Sequence, residues 1–247
     1  MTASTVSDAT DAAAINRAFY DHLWQRVHWP PPERFNTWSL VAEWCAEAPT
    51  RLEIGPGMRP RLPVAGSHFI DLSETCVARL RQGGAQAECA SATALPFADR
   101  AFALVCAFDI VEHVEDDRRV LQEMVRVLAD GGRLVLSVPL FAARWTPFDA
   151  MCGHVRRYEP PAVLALLADH GLEVVASGGF GMQPRQWLVD LGMFLFRVMP
   201  RRSMFFYNYL IMPIVLKVQR PLRLTAGSDA LTNGGNDEVL LVCRRKS

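Results

Sequence analysis

From Arg51 onward, short apolar runs alternate with longer stretches whose apolar positions recur every three or four residues. Neighbouring parallel strands need a crossover long enough to hold a helix, so this alternation builds a parallel sheet covered on both faces. The pattern predicts strands at Arg51–Ile54, His68–Ile70, Ala87–Cys89, Phe102–Ala107, Arg133–Val138, Leu172–Ser177 and Glu238–Cys243. One predicted helix begins at Ser73, a good N-cap, and stops at Gly83-Gly84. A second follows Glu115-Asp116-Asp117, carries Val120, Leu121, Met124, Val127 and Leu128 on one face, and ends at Gly131-Gly132. A third starts at Pro160-Pro161, where missing amide donors cost least, and ends before Gly171. The fold class expected is α/β: a doubly wound, mostly parallel, Rossmann-like sheet.

Residues 49–181 and 231–247 form this expected core. Ahead of it, residues 1–48 read as a tail and helical cap. Met1 to Ala14 has no basic and apolar signal pattern, and the apolar spacing from Asp11 to Ala48 predicts two amphipathic helices hinged at Pro30-Pro31-Pro32. The other break is at residues 182–230. This stretch is too long for a connection between edge strands and reads as a hydrophobic helical insertion.

Lys+Arg and Asp+Glu both number 26, so no net charge gathers nucleic acid or acidic polymers, and a nucleic-acid partner is disfavoured. The six cysteines form no CxxC pair and no Cys/His cluster, which argues against a structural zinc site and for reduced thiols in the cytoplasm. No metal is expected.

The chemistry begins at Leu52-Glu53-Ile54-Gly55-Pro56-Gly57, followed by Phe69-Ile70-Asp71-Leu72-Ser73. Glycines just past a strand let backbone amides approach a ligand, and an acid ending the next strand can accept from a ribose diol. Further on come Ala92-Thr93-Ala94-Leu95-Pro96-Phe97, Phe102-Ala103-Leu104-Val105, Ile110-Val111-Glu112-His113-Val114 and Leu128-Ala129-Asp130-Gly131-Gly132-Arg133-Leu134. In order and spacing these segments resemble the small-molecule branch of the class I methyltransferases that use S-adenosyl-L-methionine (SAM). The resemblance covers roughly Arg51 to Ser177 and the last strand. It implies a seven-stranded sheet with one antiparallel edge strand, and SAM lying across the carboxyl ends of the first, second and fourth strands. By the same resemblance the cofactor-binding residues are Glu53, Gly55, Pro56, Gly57, Asp71, Leu72, Ser91, Ala92, Phe108 and Asp109.

Three positions depart from the family pattern. Arg59 replaces the third glycine of the turn, and Pro60 and Pro63 leave only a loop where relatives place a helix. Arg59 then either pairs with the cofactor's carboxylate or is an exposed loop side chain. Ser91 stands where an acid often meets the adenine amino group. Ala103 replaces another usual acid, while Asp109 stands just past the fourth strand, either facing the cofactor pocket or capping a helix.

Glu112 and His113 adjoin a helix start, where local hydrogen bonding is the simpler role. Gly153-His154-Val155-Arg156-Arg157-Tyr158 resembles a His-x-Arg-Arg-Tyr element on the acceptor side of many relatives. There His154 would take the acceptor's proton and Arg157 would hold an anionic group; the alternative is a loop pinned by these side chains. In the insertion, Trp187–Met199 and Met204–Leu216 are each shorter than the ~20 residues that span a bilayer. Plain core, an acceptor lid, peripheral contact of 187–216 with the inner face of a membrane, and a homodimer surface all remain open. Lid and membrane contact both imply an apolar or lipid-linked acceptor, and the resemblance by itself a small molecule. Competing readings are a catalytically silent binding protein and a nicotinamide-dependent oxidoreductase. Leu95-Pro96-Phe97 and the short loop argue against the last.

Overall fold

The structure is a computed structural model that describes residues 29–181, 190–192, 194, 195, 198–232 and 235–246. The first expected N-terminal helix and six of the thirteen residues of Trp187–Met199 lie outside the described residues. The strands are β1 (Arg51–Ile54), β2 (His68–Asp71), β3 (Gln86–Cys89), β4 (Phe102–Phe108), β5 (Leu128–Pro139), β6 (Leu172–Gly179), β7 (Thr225–Ala226) and β8 (Glu238–Arg245). They form one sheet in the order β3-β2-β1-β4-β5-β8-β6-β7. β1 pairs in parallel with both β2 and β4, so the winding direction reverses between β1 and β4. That reversal opens a crevice at the strands' carboxyl ends, the usual ligand position in such sheets.

The helices that cover the sheet are α1 (Trp38–Glu47), α2 (Glu74–Gln82), α3 (Asp117–Val127), α4 (Pro147–Cys152) and α5 (Pro160–Asp169). Period-two alternation along β4 divides the core. Val105 and Ala107 face one cluster with Val120, Leu121 and Met124 of α3 and Val163 and Leu167 of α5. Leu104, Cys106 and Phe108 face the other, with Val41 and Trp44 of α1 and Val77 and Leu80 of α2. Caps fall as the sequence requires: the Ser73 hydroxyl accepts from the Cys76 amide, and the Asp116 carboxylate from the Arg119 amide.

Three expectations are corrected. The antiparallel strand is not at an edge: β8 lies between β5 and β6 and runs against both. Its run Val239–Cys243 is buried throughout, which suits a strand covered on both faces rather than a rim. The sheet also has an eighth strand, because the segment read as a helical insertion returns to pair β7 with β6 at the true edge. Finally, α3 stops at Val127, since Leu128 has already turned extended and pairs with Phe102. Leu128 is buried either way, so its hydrophobicity could not distinguish the two conformations.

The far end of residues 182–230 is helical. Pro200–Phe206, a wider π turn at Tyr207–Ile211, and Met212–Val218 follow one another directly. Among the described residues, no helix is long and apolar enough to cross a membrane.

Candidate active site

The loop after β1 is built around a buried carboxylate. Glu53 is 1% exposed and accepts from the Arg61 amide at 3.0 Å and the Leu62 amide at 2.8 Å. Burial pushes its pKa up to about 7, against the lowering effect of those amides. Glu53 therefore holds the loop, which passes from β1 to β2 without a helix, as Pro60 and Pro63 foretold. Gly55 and Gly57 both have left-handed φ angles, +64° and +52°. At Gly55 the space of the missing side chain is taken up by the protein itself. A Cβ there would lie 2.2 Å from Ile110 Cδ1, so the Gly55 hollow is partly filled by Ile110, a side chain from the loop after β4. Pro56 is buried beneath the turn.

Asp71, at the end of β2, turns inward. Its Oδ2 accepts from the Gly57 amide at 3.0 Å and its Oδ1 from the Ser73 amide at 2.8 Å, which locks the glycine turn to the second strand. Leu72 next to it is 43% exposed. After β3, the Ser91 hydroxyl lies 2.7 Å from that of Thr93 and accepts from the Thr93 amide, while Ala92 and Leu95 are buried. This loop is anchored from α3: Glu123 accepts from the Leu95 amide at 2.8 Å, and Arg126 binds Glu123, Asp99 and the carbonyls of Leu95 and Phe97. Sequence reasoning missed Glu123 and Arg126. The available signal was a Glu on the apolar face of an amphipathic helix.

Past β4, Phe108 is buried and Asp109 adopts φ +55°, rare for a residue with a side chain. Its amide donates to the Ser137 hydroxyl, which donates back to Asp109 Oδ1 at 2.5 Å. Glu238 lies against Asp109. Burial and then Asp109 push the Glu238 pKa well above the usual carboxylate range. Arg61 faces this acidic group from a cage of Phe35, Phe108 and Phe180, with 3.8 Å from its guanidinium to the Phe35 ring. Arg59 sits 5.5 Å from the Tyr207 ring and so ties the loop to the helical segment, while Asn36 bonds to Gln219 and Arg220 at that segment's end.

The His-x-Arg-Arg-Tyr element packs beside the turn at Val111–His113, where the Val155 amide donates to the Glu112 carbonyl. Asp149 of α4, fully buried, is the hub. Its oxygens accept from Arg157 Nε at 2.9 Å and Nη2 at 3.0 Å, from His154 Nδ1 at 2.9 Å and from Thr146. Burial raises its pKa, but these hydrogen bonds outweigh that and hold it below the usual carboxylate range. Arg156 and Tyr158 both reach Asp117. Arg157 is thus turned onto Asp149 rather than toward an acceptor anion. His154 keeps its second nitrogen, Nε2, 4.0 Å from Glu112 Oε1. Glu112 is 0% exposed, and neither of its carboxylate oxygens has a hydrogen-bond partner. Burial, and then Asp109, push its pKa well up. His113 lies edge-on to His154, and burial lowers its pKa to about 4, so it is neutral near pH 7.

The carboxyl ends of β1, β2 and β4 therefore carry the glycine turn, an inward acid and a polar cluster around one crevice. A family model for the methyltransferase domain matches residues 53–136. A probable S-adenosylmethionine-dependent methyltransferase of Mycobacterium tuberculosis is 32% identical over 122 residues, 47% of this chain and 44% of that protein. The chain thus spans less than half the length of that relative. Among solved structures, a SAM-dependent methyltransferase from Thermotoga maritima, a possible histamine N-methyltransferase, superposes with TM-score 0.56 at 15% identity, covering 98% of this chain and 96% of that one. The N-methyltransferase NodS of Bradyrhizobium japonicum, solved with S-adenosyl-L-homocysteine, gives TM-score 0.53 at 17% identity, covering 94% and 99%. Residues 53–136 thus match a methyltransferase-domain model, and the fold is like that of solved SAM-dependent methyltransferases.

Proposed function

We propose that this protein binds SAM in the crevice between β1 and β4 and transfers its methyl group to a small-molecule or lipid-linked acceptor. The observation that carries this reading is the lock between Asp71 and the Gly57 amide, which sets the turn and the inward acid at one edge of the crevice. In this reading Asp71 receives the ribose hydroxyls, Leu72, Ala92 and Leu95 flank the adenine, and Ser91 accepts from its amino group. The carboxylate of Asp109, with the carboxyl of Glu238 beside it, suits the positive charge of the amino acid arm and sulfonium. Glu53 acts from behind, by shaping the loop.

Transfer from a sulfonium needs little more than in-line approach of the acceptor, and positioning alone can supply roughly 7–11 kcal/mol at the upper end. His154, oriented by Asp149, is the side chain proposed to assist the acceptor's loss of a proton, and Arg157 positions it through the same carboxylate. The helical segment around Tyr207 is proposed as the lid of an apolar acceptor. Arg59 against Tyr207 supports this, as do the exposed side chains of Phe205, Phe206, Leu210 and Ile214.

The test is calorimetric titration with SAM and with S-adenosylhomocysteine, followed by SAM-dependent labelling of a host metabolite and lipid extract. Binding of both ligands and a product heavier by one methyl group support the reading. Absence of binding at millimolar ligand removes it. Binding without turnover favours the catalytically silent reading, which Ile110 over Gly55 makes concrete.

A further inference from the structure

We propose that Glu112, His113 and His154 form a binding site for one divalent transition-metal cation, of the type that zinc exemplifies, on the acceptor side of the crevice. Each residue offers one ligand atom, and these atoms lie within 4.8 Å of one another. Ligand atoms around a tetrahedral zinc, with bonds of about 2.0–2.2 Å, sit roughly 3.4 Å apart. The 4.0 Å between His154 Nε2 and Glu112 Oε1 needs only a small side-chain rotation to close onto an ion.

Two independent features mark the cluster as a site rather than a coincidence of residue types. The first is Glu112 itself: a fully buried carboxyl with two unpartnered oxygens is costly unless something fills the space beside it. The second is how the imidazoles are held. Asp149 accepts from His154 Nδ1 at 2.9 Å, and the Gly153 carbonyl accepts from His113 Nδ1 at 3.2 Å. A neutral imidazole that donates through Nδ1 carries its lone pair on Nε2, the tautomer that metal-binding histidines adopt when a carboxylate or carbonyl supports them from behind. Arg157 and Thr146 in turn fix Asp149, so the support extends a further layer. Two imidazoles with one carboxylate select zinc or a neighbouring first-row ion over magnesium or calcium, which prefer all-oxygen sites.

The ligands come from two segments about forty residues apart, with no short-range spacing, which is why cysteine and histidine counting pointed away from a metal. Cation binding stands on these side chains alone; its part in the reaction rests on the methyl-transfer reading. There His154 would act through the ion rather than as a direct base: a coordinated acceptor hydroxyl would lose its proton to water, and its oxygen would attack the methyl carbon. The methyl–sulfur bond breaks with its electron pair returning to sulfur, leaving a methyl ether, S-adenosylhomocysteine and one released proton.

The test uses full-length protein stripped with a chelator. Zn2+ is titrated calorimetrically, Co2+ is added for visible ligand-field absorption, and S-adenosylhomocysteine is titrated in parallel. Wild type is expected to take one ion per chain with Co2+ bands of a nitrogen and oxygen site. Glu112→Gln and His154→Gln are each expected to weaken the ion by more than ~10-fold while keeping S-adenosylhomocysteine affinity. Should His154→Gln lower the melting temperature, Glu112→Gln decides, because that carboxyl has no hydrogen bond to lose. No stoichiometric ion in wild type, or equal binding by the variants, overturns the site. Ion binding without S-adenosylhomocysteine binding sustains it and sinks the cofactor reading instead.

Discussion

Arg157 grips Asp149 with two parallel hydrogen bonds, Nε to Oδ1 at 2.9 Å and Nη2 to Oδ2 at 3.0 Å, in a place where Asp149 is fully buried. A lysine cannot reproduce that fork. Arg157→Lys is expected to lower stability by about 1.5–3 kcal/mol in urea unfolding. Because the fork also orients His154, turnover should fall while S-adenosylhomocysteine affinity stays put. An unchanged turnover number would mean that Arg157 only braces the loop.

Gly55 combines a φ of +64° with Ile110 Cδ1 only 2.2 Å from where a Cβ would stand. Gly55→Ala is therefore strained in backbone and in space, and is expected to cost about 1–3 kcal/mol, with weaker SAM binding measured by calorimetry. The double variant with Ile110→Ala, which opens the space but leaves the backbone strained, should recover part of the loss. No recovery would show that the contact with Ile110 is not what glycine is there for.

Glu53 links the loop after β1 to pH. Its folded pKa, about 7, lies above the ordinary 4.5, so the native state holds the proton more tightly than the unfolded chain. The stabilisation is complete below about pH 4.5 and is lost as pH rises toward 7, by up to about 3 kcal/mol. In urea titrations at pH 5 and pH 8, wild type should lose stability relative to Glu53→Gln. Parallel curves for the two proteins would refute the assignment.

Glu123 reaches across from α3 to the Leu95 amide, and Arg126 holds the carbonyls on either side of Pro96. Truncation by Glu123→Ala leaves the buried Leu95 amide without its acceptor and removes one of the partners of Arg126, at a cost of about 1–3 kcal/mol. If the loop flanks adenine as proposed, S-adenosylhomocysteine affinity should drop with it by about tenfold or more. Loss of stability with intact affinity would separate the loop from the cofactor.

Seven of the eight strands, the cap at Ser73 and the helix-free loop at Pro60–Pro63 were legible because each depends on nearby residues: apolar spacing, a hydroxyl in reach of an amide, a missing donor. The end of α3 was not, since Leu128 is buried as helix or as strand and only its partner Phe102 selects between them. The place of β8 escaped for a similar reason: a continuous apolar run says that both faces are covered, not which strands flank it. At the site, the glycine turn and Asp71 could be named in advance. The pairing of Arg157 with Asp149 could not, because Asp149 carried no motif and its charge is explained only by what surrounds it. The same holds for Glu112, Glu123 and Glu238, acids whose meaning comes from tertiary neighbours.

The position of β8 between β5 and β6 also governs how this sheet can be made. A nascent chain that has emerged only as far as residue 230 already carries β1 to β7, but β5 and β6 each present a row of unsatisfied amides and carbonyls to the same gap. Closure waits for residues 238–245 to slot between them. Until then both strands keep open edges, so a product truncated before residue 238 is expected to be sticky rather than merely incomplete.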